Sequence, residues 1–291
     1  AKGENIFSFP AAKAPELVDI NPEGVIVMEE EYLKSVKELL YQVQHAPELK
    51  SRMQAITSLG ENEGKEVLLA ALRDPYFKVR NIALERLSDF SLNKKELAQV
   101  EKLATSDPSN IAKSAAIWVL SSSKENKRYT ALYEKALTTP SGAVKNAALN
   151  AIAHTNPKRA KDFLEKADPK ELEIDQLAGL TGVIADNKMT QYLPTLMPYL
   201  VNYPFLEEDN PEIAADFKKA YLWAMSLDNK NLVEQMQKAY KDFTQEENGD
   251  KAKQALWKVI DEGIAQKKKL PDTAAIKEQI KMLEELKSKI K

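Results

Sequence analysis

The sequence predicts an all-α fold, and two observations lead to this prediction. A pattern recurs in windows that begin at Asp74, Asp107 and Thr139, so its periods are 33 and 32 residues. A 3.6-residue apolar periodicity also runs from near Glu30 almost to the end of the chain. A fixed period in this range is typical of stacked helix pairs. The prediction is therefore a HEAT/armadillo-like α-α superhelix, with a short β-hairpin segment at its N-terminus.

The N-terminal segment differs from the rest of the chain. Leu17–Ile20 and Val25–Met28 are β-rich runs on either side of Asn21-Pro22-Glu23-Gly24. Proline second and glycine fourth favour a type I turn, so we expect a hairpin. An isolated hairpin is marginally stable in water, and no further strands follow downstream. The hairpin therefore belongs to a sheet encoded upstream or, alternatively, lies on the first helices. We divide the chain into 1–29, remnant β-strands, and 30–291, the helical superhelix.

The three repeat windows share positions that explain how paired helices form. Each has proline second, which ends the preceding helix because proline disfavours the helical conformation of the residue before it. The tenth position is always alanine, where two antiparallel helices are expected to approach to about 8–10 Å. The seventh position is basic, and it is expected to bond the preceding turn while its stem covers apolar surface. The alanines are Ala83, Ala116 and Ala148, and the basic residues are Arg80, Lys113 and Lys145.

Helical stripes continue beyond the repeats, although the echo weakens past Asn156. The region Asn202–Pro211 is predicted to be an acidic loop, and Gln245–Asp250 a linker-like turn. A polar last helix, Ile276–Ile290, suits the cap that an array needs. The whole chain is predicted to contain roughly a dozen helices or slightly more. Apolar stripes mark further helices at Tyr32–Val43, Leu49–Leu59, Val67–Leu72, Val79–Leu87, Leu172–Ile184, Tyr192–Leu200, Phe217–Met225, Leu232–Phe243 and Ala252–Ile264.

Composition excludes some classes of partner. The chain has 42 basic and 44 acidic residues, and this balance argues against a nucleic-acid partner, which requires a basic footprint. No apolar run approaches the ~20 residues that span a bilayer, so no membrane partner is expected. The start lacks a charged region followed by an apolar one, so either the protein is not exported or its true N-terminus is missing. The absence of cysteine excludes disulfides and thiolate metal sites.

No catalytic, metal-binding or cofactor-binding residue is predicted in this chain. His45 and His154 lie at helix ends, where histidine often bonds free carbonyls, and neither belongs to a His-Glu-x-x-His zinc motif. Ser121–Ser123 has no nucleophile elbow and is predicted to be a helix end. No glycine-rich phosphate loop exists. The acidic runs Glu29–Glu31 and Glu207–Asp209 are expected to be solvated, and Lys267–Lys269 to end a helix, where positive charge is favoured.

Aromatic residues give a weaker signal. The three tryptophans, Trp118, Trp223 and Trp257, each fall in an apolar helical stripe and are expected to pack in the core. A second group clusters around prolines, and two interpretations are open for it: core packing, or an exposed group on a concave surface that grips a peptide backbone. That group is Tyr192, Tyr199, Tyr203 and Phe205.

One stretch resembles a known family. The residues concerned are Phe7-Ser8-Phe9-Pro10, Pro15–Ile20, the hairpin through Gly24-Val25-Ile26, and Tyr41–Pro47 with Arg52, Ala55 and Leu59. Together they resemble the junction before the C-terminal domain of M1-family zinc aminopeptidases, particularly the bacterial members. In that family the segment closes a small β-sandwich and leads into an all-helical, HEAT-like superhelix. The resemblance covers about 50 residues specifically, and the later helices match only as generic HEAT repeats.

The resemblance implies a non-catalytic C-terminal domain that covers the catalytic chamber and limits or positions peptide substrates. The family's zinc motif and its Gly-x-Met-Glu-Asn loop have no counterpart here, so zinc is expected in a catalytic domain that this chain lacks. The implied partners are peptide substrate and the parent's own catalytic domain. One alternative is a free-standing HEAT-repeat scaffold that binds protein partners on its concave face. Another is an independent hydrolase with an unrecognised site.

Overall fold

The all-α prediction is confirmed. The computed structural model describes residues 8, 10–25, 33–207, 210–243 and 250–290. These residues form sixteen α-helices and two short 3-10 helices, and they contain no β-strand. Within the same ranges, no helix combines the length and apolarity needed to cross a membrane. The chain divides into two compact units, Ala1–Ala147 and Ala148–Lys291.

The first unit consists of helix pairs in sequence order. Its helices are α1 (Val36–His45), α2 (Leu49–Thr57), α3 (Lys65–Ala71), α4 (Phe77–Leu87), α5 (Lys94–Ser106), α6 (Asn110–Ser122), a 3-10 helix (Asn126–Tyr129), α7 (Thr130–Ala136) and the start of α8 (Gly142–Thr155). Within each pair the two helices pack together, as in α1–α2, α3–α4 and α5–α6. The second helices of successive pairs also pack on one another, α2 on α4 and α4 on α6. This nearest-neighbour stacking is HEAT-like.

The second unit stacks its helices in a similar way. After the end of α8 it contains α9 (Pro157–Leu164), α10 (Ile174–Asp186), a 3-10 helix (Thr190–Tyr192), α11 (Leu193–Leu200), α12 (Tyr203–Leu206), α13 (Pro211–Met225), α14 (Lys230–Phe243), α15 (Asp250–Lys267) and α16 (Ala274–Lys289). One row of contacts runs α10–α13–α15 and another runs α11–α14–α16. The repeated sequence pattern is weaker in this unit, yet its helices still pack in the same way.

The repeated alanines are buried, as expected for positions where two helices approach closely. Ala83, Ala116 and Ala148 are each fully buried.

The first helix begins later than predicted, at Val36, because Ser35 caps it. The Glu38 main-chain N–H donates to the Ser35 hydroxyl at 3.3 Å, and the Glu38 carboxylate accepts from the Ser35 N–H at 2.8 Å. This reciprocal capping box fixes the helix start.

The repeated basic position does bond the preceding turn at Arg80. Its guanidinium donates to the carbonyls of Asp74 and Pro75 at 2.8 and 3.0 Å. It also forms a bidentate pair with the Asp107 carboxylate, both distances being 2.7 Å. Asp107 in turn accepts the Ser109 N–H at 2.8 Å, so the pair fixes the turn that starts the next repeat. Lys113 takes the equivalent place in the following window, but the window after it begins with Thr139 instead of an aspartate.

A fourth window, missed in the sequence, starts at Ala46. Arg52 stands seventh in it and donates to the Asp74 carboxylate at 2.6 Å and to the Pro47 carbonyl at 2.7 Å. Ala55 stands tenth and is fully buried. Ala46 in place of aspartate, and a shorter spacing to Asp74, hide the match.

The predicted hairpin is not found. The turn exists, since the Gly24 N–H donates to the Asn21 carbonyl at 2.9 Å and Gly24 has a φ of +71°, which favours glycine. Leu17–Ile20, however, is not a strand, because no partner strand in the described part of the chain satisfies its main-chain groups. The second predicted strand falls almost wholly outside the described residues, as does the predicted division at residues 29 and 30.

Asp19 anchors the N-terminal segment to the first helix pair. Its carboxylate accepts from the Ser51 hydroxyl and lies 3.6 Å from the Lys34 ammonium. Gln42 completes the network, since its amide donates to the Ser51 carbonyl at 2.8 Å and to the Ser51 Oγ at 3.1 Å. Ser51 and Gln42 are fully buried. The segment therefore contacts α2, and Lys34 just before α1, through polar groups.

Candidate functional site: a groove between α4 and α6

A groove of about 480 Å³ lies between α4 and α6, two second helices that pack side by side. One wall is polar and comes from α4, and the other is largely apolar and comes from α6. Leu84 and Val119 are buried beneath the groove. The lining residues are Asn81, Leu84, Glu85, Ser88, Ile111, Ser114, Ala115, Trp118, Val119 and Ser122.

The apolar wall contains a large exposed aromatic side chain. Trp118 is 45% exposed and Ile111 is 51% exposed. They are seven residues apart and therefore share one face of α6. The prediction that Trp118 packs in the core is wrong. Because α6 is apolar on nearly every side between Ile111 and Leu120, its periodicity does not identify which face is buried.

The polar wall presents mainly hydrogen-bond acceptors. The Asn81 amide donates to the Glu85 carboxylate at 2.7 Å, which orients that carboxylate. The Ser88 hydroxyl donates to the Glu85 carbonyl at 2.6 Å. On the α6 wall, the Ser114 hydroxyl donates to the Ile111 carbonyl at 2.8 Å. These groups have used donor hydrogens within their own helices, while their oxygen lone pairs still accept. Among the described residues that line the groove, Glu85 is the only charged one.

The histidines and the serine run lie at helix ends, as predicted. His45 is in the last turn of α1, and its ring packs against the Tyr41 ring at a tilt of 42°, with 4.4 Å between centroids. His154 is in the last turn of α8, and its Nε2 lies 3.8 Å from a Glu212 carboxylate oxygen. In the serine run, the Ser121 hydroxyl donates to the Trp118 carbonyl at 2.8 Å. The two histidines thus contact the side chains of Tyr41 and Glu212, whereas the sequence led us to expect hydrogen bonds to free carbonyls.

Within the described ranges, no group of three or more His, Cys, Asp or Glu side chains is arranged to hold a metal ion.

The aromatic cluster around the prolines divides into two buried and two exposed side chains. Tyr192 and Tyr203 are fully buried, so they do not form an exposed peptide-gripping surface. The Tyr192 hydroxyl donates to the Leu164 carbonyl, and the Tyr203 hydroxyl to the Glu262 carboxylate, both at 2.6 Å. Burial, with the nearby Glu262, raises the pKa of Tyr203 far above its ordinary value. Tyr199 and Phe205 are 41% and 36% exposed.

The other two tryptophans differ in burial. Trp223 is 8% exposed and packs in the core as predicted. Trp257 is half-buried, and the Lys253 ammonium lies 4.7 Å from its ring centroid.

The charge runs differ in their environments. Lys267 ends α15 as predicted but is fully buried, and it donates to the Leu227 carbonyl. Burial lowers the pKa of Lys267 to about 8, against the opposing effect of the nearby Asp228 charge. In the acidic run, Glu207 lies 3.0 Å from the Lys258 ammonium. Glu208–Asp209 and Glu29–Glu31 lie outside the described residues.

Comparisons with known proteins give weak structural likenesses. No protein-family model matches the sequence, and no curated protein matches it. A crystal structure of the Escherichia coli protein YibA is similar with a TM-score of 0.42 and 15% identity, over 84% of this chain and 91% of that one. The CpcE–CpcF complex of phycocyanin lyase from Nostoc sp. PCC7120 is similar with a TM-score of 0.45 and 13% identity, over 99% of this chain and 100% of that one. At such scores neither likeness bears on function.

The fold and the groove are therefore what the structure establishes for this protein. It is an all-α chain whose units stack helix pairs in the HEAT manner, with an open groove between two second helices.

Proposed function

We propose that the chain is the non-catalytic C-terminal domain of an M1-family metallo-aminopeptidase. In this role it covers the catalytic chamber and limits or positions peptide substrates. Zinc belongs to the catalytic domain of that parent protein, and the partners of this chain are the peptide and that domain. The resemblance of residues 7–59 to the junction of the family supports the proposal, and one structural observation adds to it.

That observation is the outward orientation of apolar side chains in the N-terminal segment. Val18 and Ile20 are 41% and 40% exposed, and Val25 is 77% exposed, while Asp19 between the first two is directed at the helices. A segment that served only to cover its own helices would direct its apolar side chains toward them, because apolar burial drives packing. Grouped exposed apolar residues are typical of an interaction surface. A preceding domain in the same polypeptide is the partner that the family resemblance supplies.

The test begins with the coding sequence upstream of Ala1. The proposal predicts a His-Glu-x-x-His motif there. The complete gene product should hydrolyse aminoacyl amides, and a zinc chelator should abolish this activity. The chain from Ala1 to Lys291, purified alone, should show no such hydrolysis. Absence of the zinc motif from the upstream sequence would contradict the proposal.

The α4–α6 groove favours a second candidate, a free-standing scaffold that binds protein partners through its second helices. A large exposed tryptophan beside an exposed isoleucine is common at protein interfaces. A pull-down with the complete gene product discriminates between the two. One stable protein partner for a gene product no longer than this chain would favour the scaffold.

A further inference from the structure

We infer that the α4–α6 groove binds an extended peptide segment that places an apolar side chain against Trp118 and a neighbouring lysine or arginine against Glu85. The inference rests on the proposed function, since it assumes that this chain handles peptides. It adds the position on the domain and the class of peptide sequence.

The apolar wall matches the dimensions of an extended chain. Ile111 and Trp118 are two turns apart on one face of α6, about 10 Å along the helix axis. An extended peptide covers that length with about three residues. Ala115 lies between them and leaves room above the buried Leu84. An aromatic side chain beside such space is typical of an anchor for an apolar residue.

The negative charge of the groove determines which residue the peptide needs next to its apolar residue. Glu85 is exposed, and Asn81 holds its carboxylate through the 2.7 Å hydrogen bond. No cation is present among the described lining residues to compensate it. A lysine or arginine of the peptide supplies that charge, and its cationic head can also approach the face of the indole ring.

The hydrogen-bonding character of the walls favours a ligand rich in donors. The lone pairs of Ser88, Ser114 and Glu85 remain as acceptors after the hydrogen bonds within each helix. An extended peptide offers main-chain N–H groups as well as a cationic side chain. A nucleic acid is disfavoured because its phosphates would meet the Glu85 carboxylate.

The experiment measures binding of three ten-residue peptides, acetylated, amidated and fluorescein-labelled, by fluorescence anisotropy at low salt. They share a Gly/Ser/Ala background and differ only at a central pair, Leu-Lys, Leu-Glu or Ser-Lys. The full chain should bind Leu-Lys most tightly. Trp118→Ala should weaken that binding by about tenfold or more, as expected for an anchor residue. Glu85→Gln should weaken it by about twofold to fivefold, the range of an exposed ion pair.

A charge reversal and a matched control sharpen the test. Glu85→Lys should reverse the preference, so that Leu-Glu binds better than Leu-Lys. Glu134→Gln, which removes an exposed carboxylate from α7 outside the groove lining, should leave all three affinities unchanged. Circular dichroism checks that each variant keeps its helices, and the exposed Glu85 keeps the test informative if Trp118→Ala fails to fold.

Three outcomes would overturn the inference. They are equal affinity for the three peptides, insensitivity to both substitutions, and self-association of the chain that Trp118→Ala abolishes. The last would identify a second copy as the occupant of the groove. Peptides that fail to bind while the upstream gene encodes the zinc motif would refute this inference alone. Selective binding without that motif would refute the proposed function alone.

Discussion

At the residue scale, the buried arginine–aspartate pair links one repeat to the next. Arg80 and Asp107 are 6% and 3% exposed, and their bidentate hydrogen bonds join α4 to the turn between α5 and α6 of the next pair. Charges buried this completely depend on each other, because removal of one leaves the other without compensation.

We predict that Arg80→Met destabilises the first unit by about 3 kcal/mol, in the range found when a buried pair loses one member. Urea unfolding followed by circular dichroism measures the change. Lys113→Met is the matched control, because Lys113 has the same position in the next window, but the window after it begins with Thr139 instead of an aspartate. Its cost should stay below about 1 kcal/mol, as for substitutions outside buried networks. Equal costs for the two variants would mean that the pair contributes nothing beyond side-chain packing.

Lys267 makes the folding stability of the second unit depend on pH. Its pKa is lowered to about 8 in the folded protein, against 10.5 when unperturbed. Between these values the unfolded chain binds more protons than the folded chain, so folding stability rises with pH from about 8 to 10.5. The buried tyrosines act in the opposite direction above pH 10, since burial raises the pKa of Tyr240 and of Tyr221 above the usual value.

The prediction concerns the stability difference between the wild type and Lys267→Met, in which the tyrosine contributions cancel. The wild type should gain stability relative to the variant from pH 8 to pH 10, by at most about 1.4 kcal/mol per pH unit. Well below pH 8, where Lys267 is protonated in both states, the difference should be constant. Thermal unfolding at fixed ionic strength measures it. A difference that stays flat from pH 8 to pH 10 would place the Lys267 ammonium in water.

At the element scale, alanine positions set how closely helices approach. Ala116 and Ala148 are fully buried, whereas Ala115, next to Ala116, lines the groove. We predict that Ala116→Leu and Ala148→Leu each cost about 1–3 kcal/mol through overpacking. Ala115→Leu should cost less because its side chain extends into open space. The denaturant midpoint of each variant measures the change. Unchanged midpoints for both Ala116→Leu and Ala148→Leu would contradict the repeat register.

Much of the element pattern can be predicted from the sequence, because local rules determine it. The x-Pro pairs mark the turns and the tenth-position alanines mark the contacts. The site is harder to predict. Trp118 lies on a helix with apolar residues on almost every side, so only the packing of α4 against α6 reveals which face stays open. The burial of Lys267 could not be predicted, because the sequence does not reveal the Leu227 carbonyl to which its ammonium donates.

At the scale of the whole molecule, the N-terminal segment connects the structure to function. Its turn follows from Asn21-Pro22-Glu23-Gly24, but its orientation depends on the Asp19–Ser51–Gln42 network, which joins residues distant in sequence. The network directs a polar residue inward and leaves Val18 and Ile20 outward. The proposed function depends on what those outward side chains contact.

Hydrogen exchange across residues 17–25, compared between this chain alone and the complete gene product, tests that contact most directly. We expect slower exchange of these main-chain amides in the complete product, because a preceding domain would cover the exposed apolar side chains and exclude water. Exchange at the same rate in both would contradict it, since the outward face would then have no partner within the polypeptide.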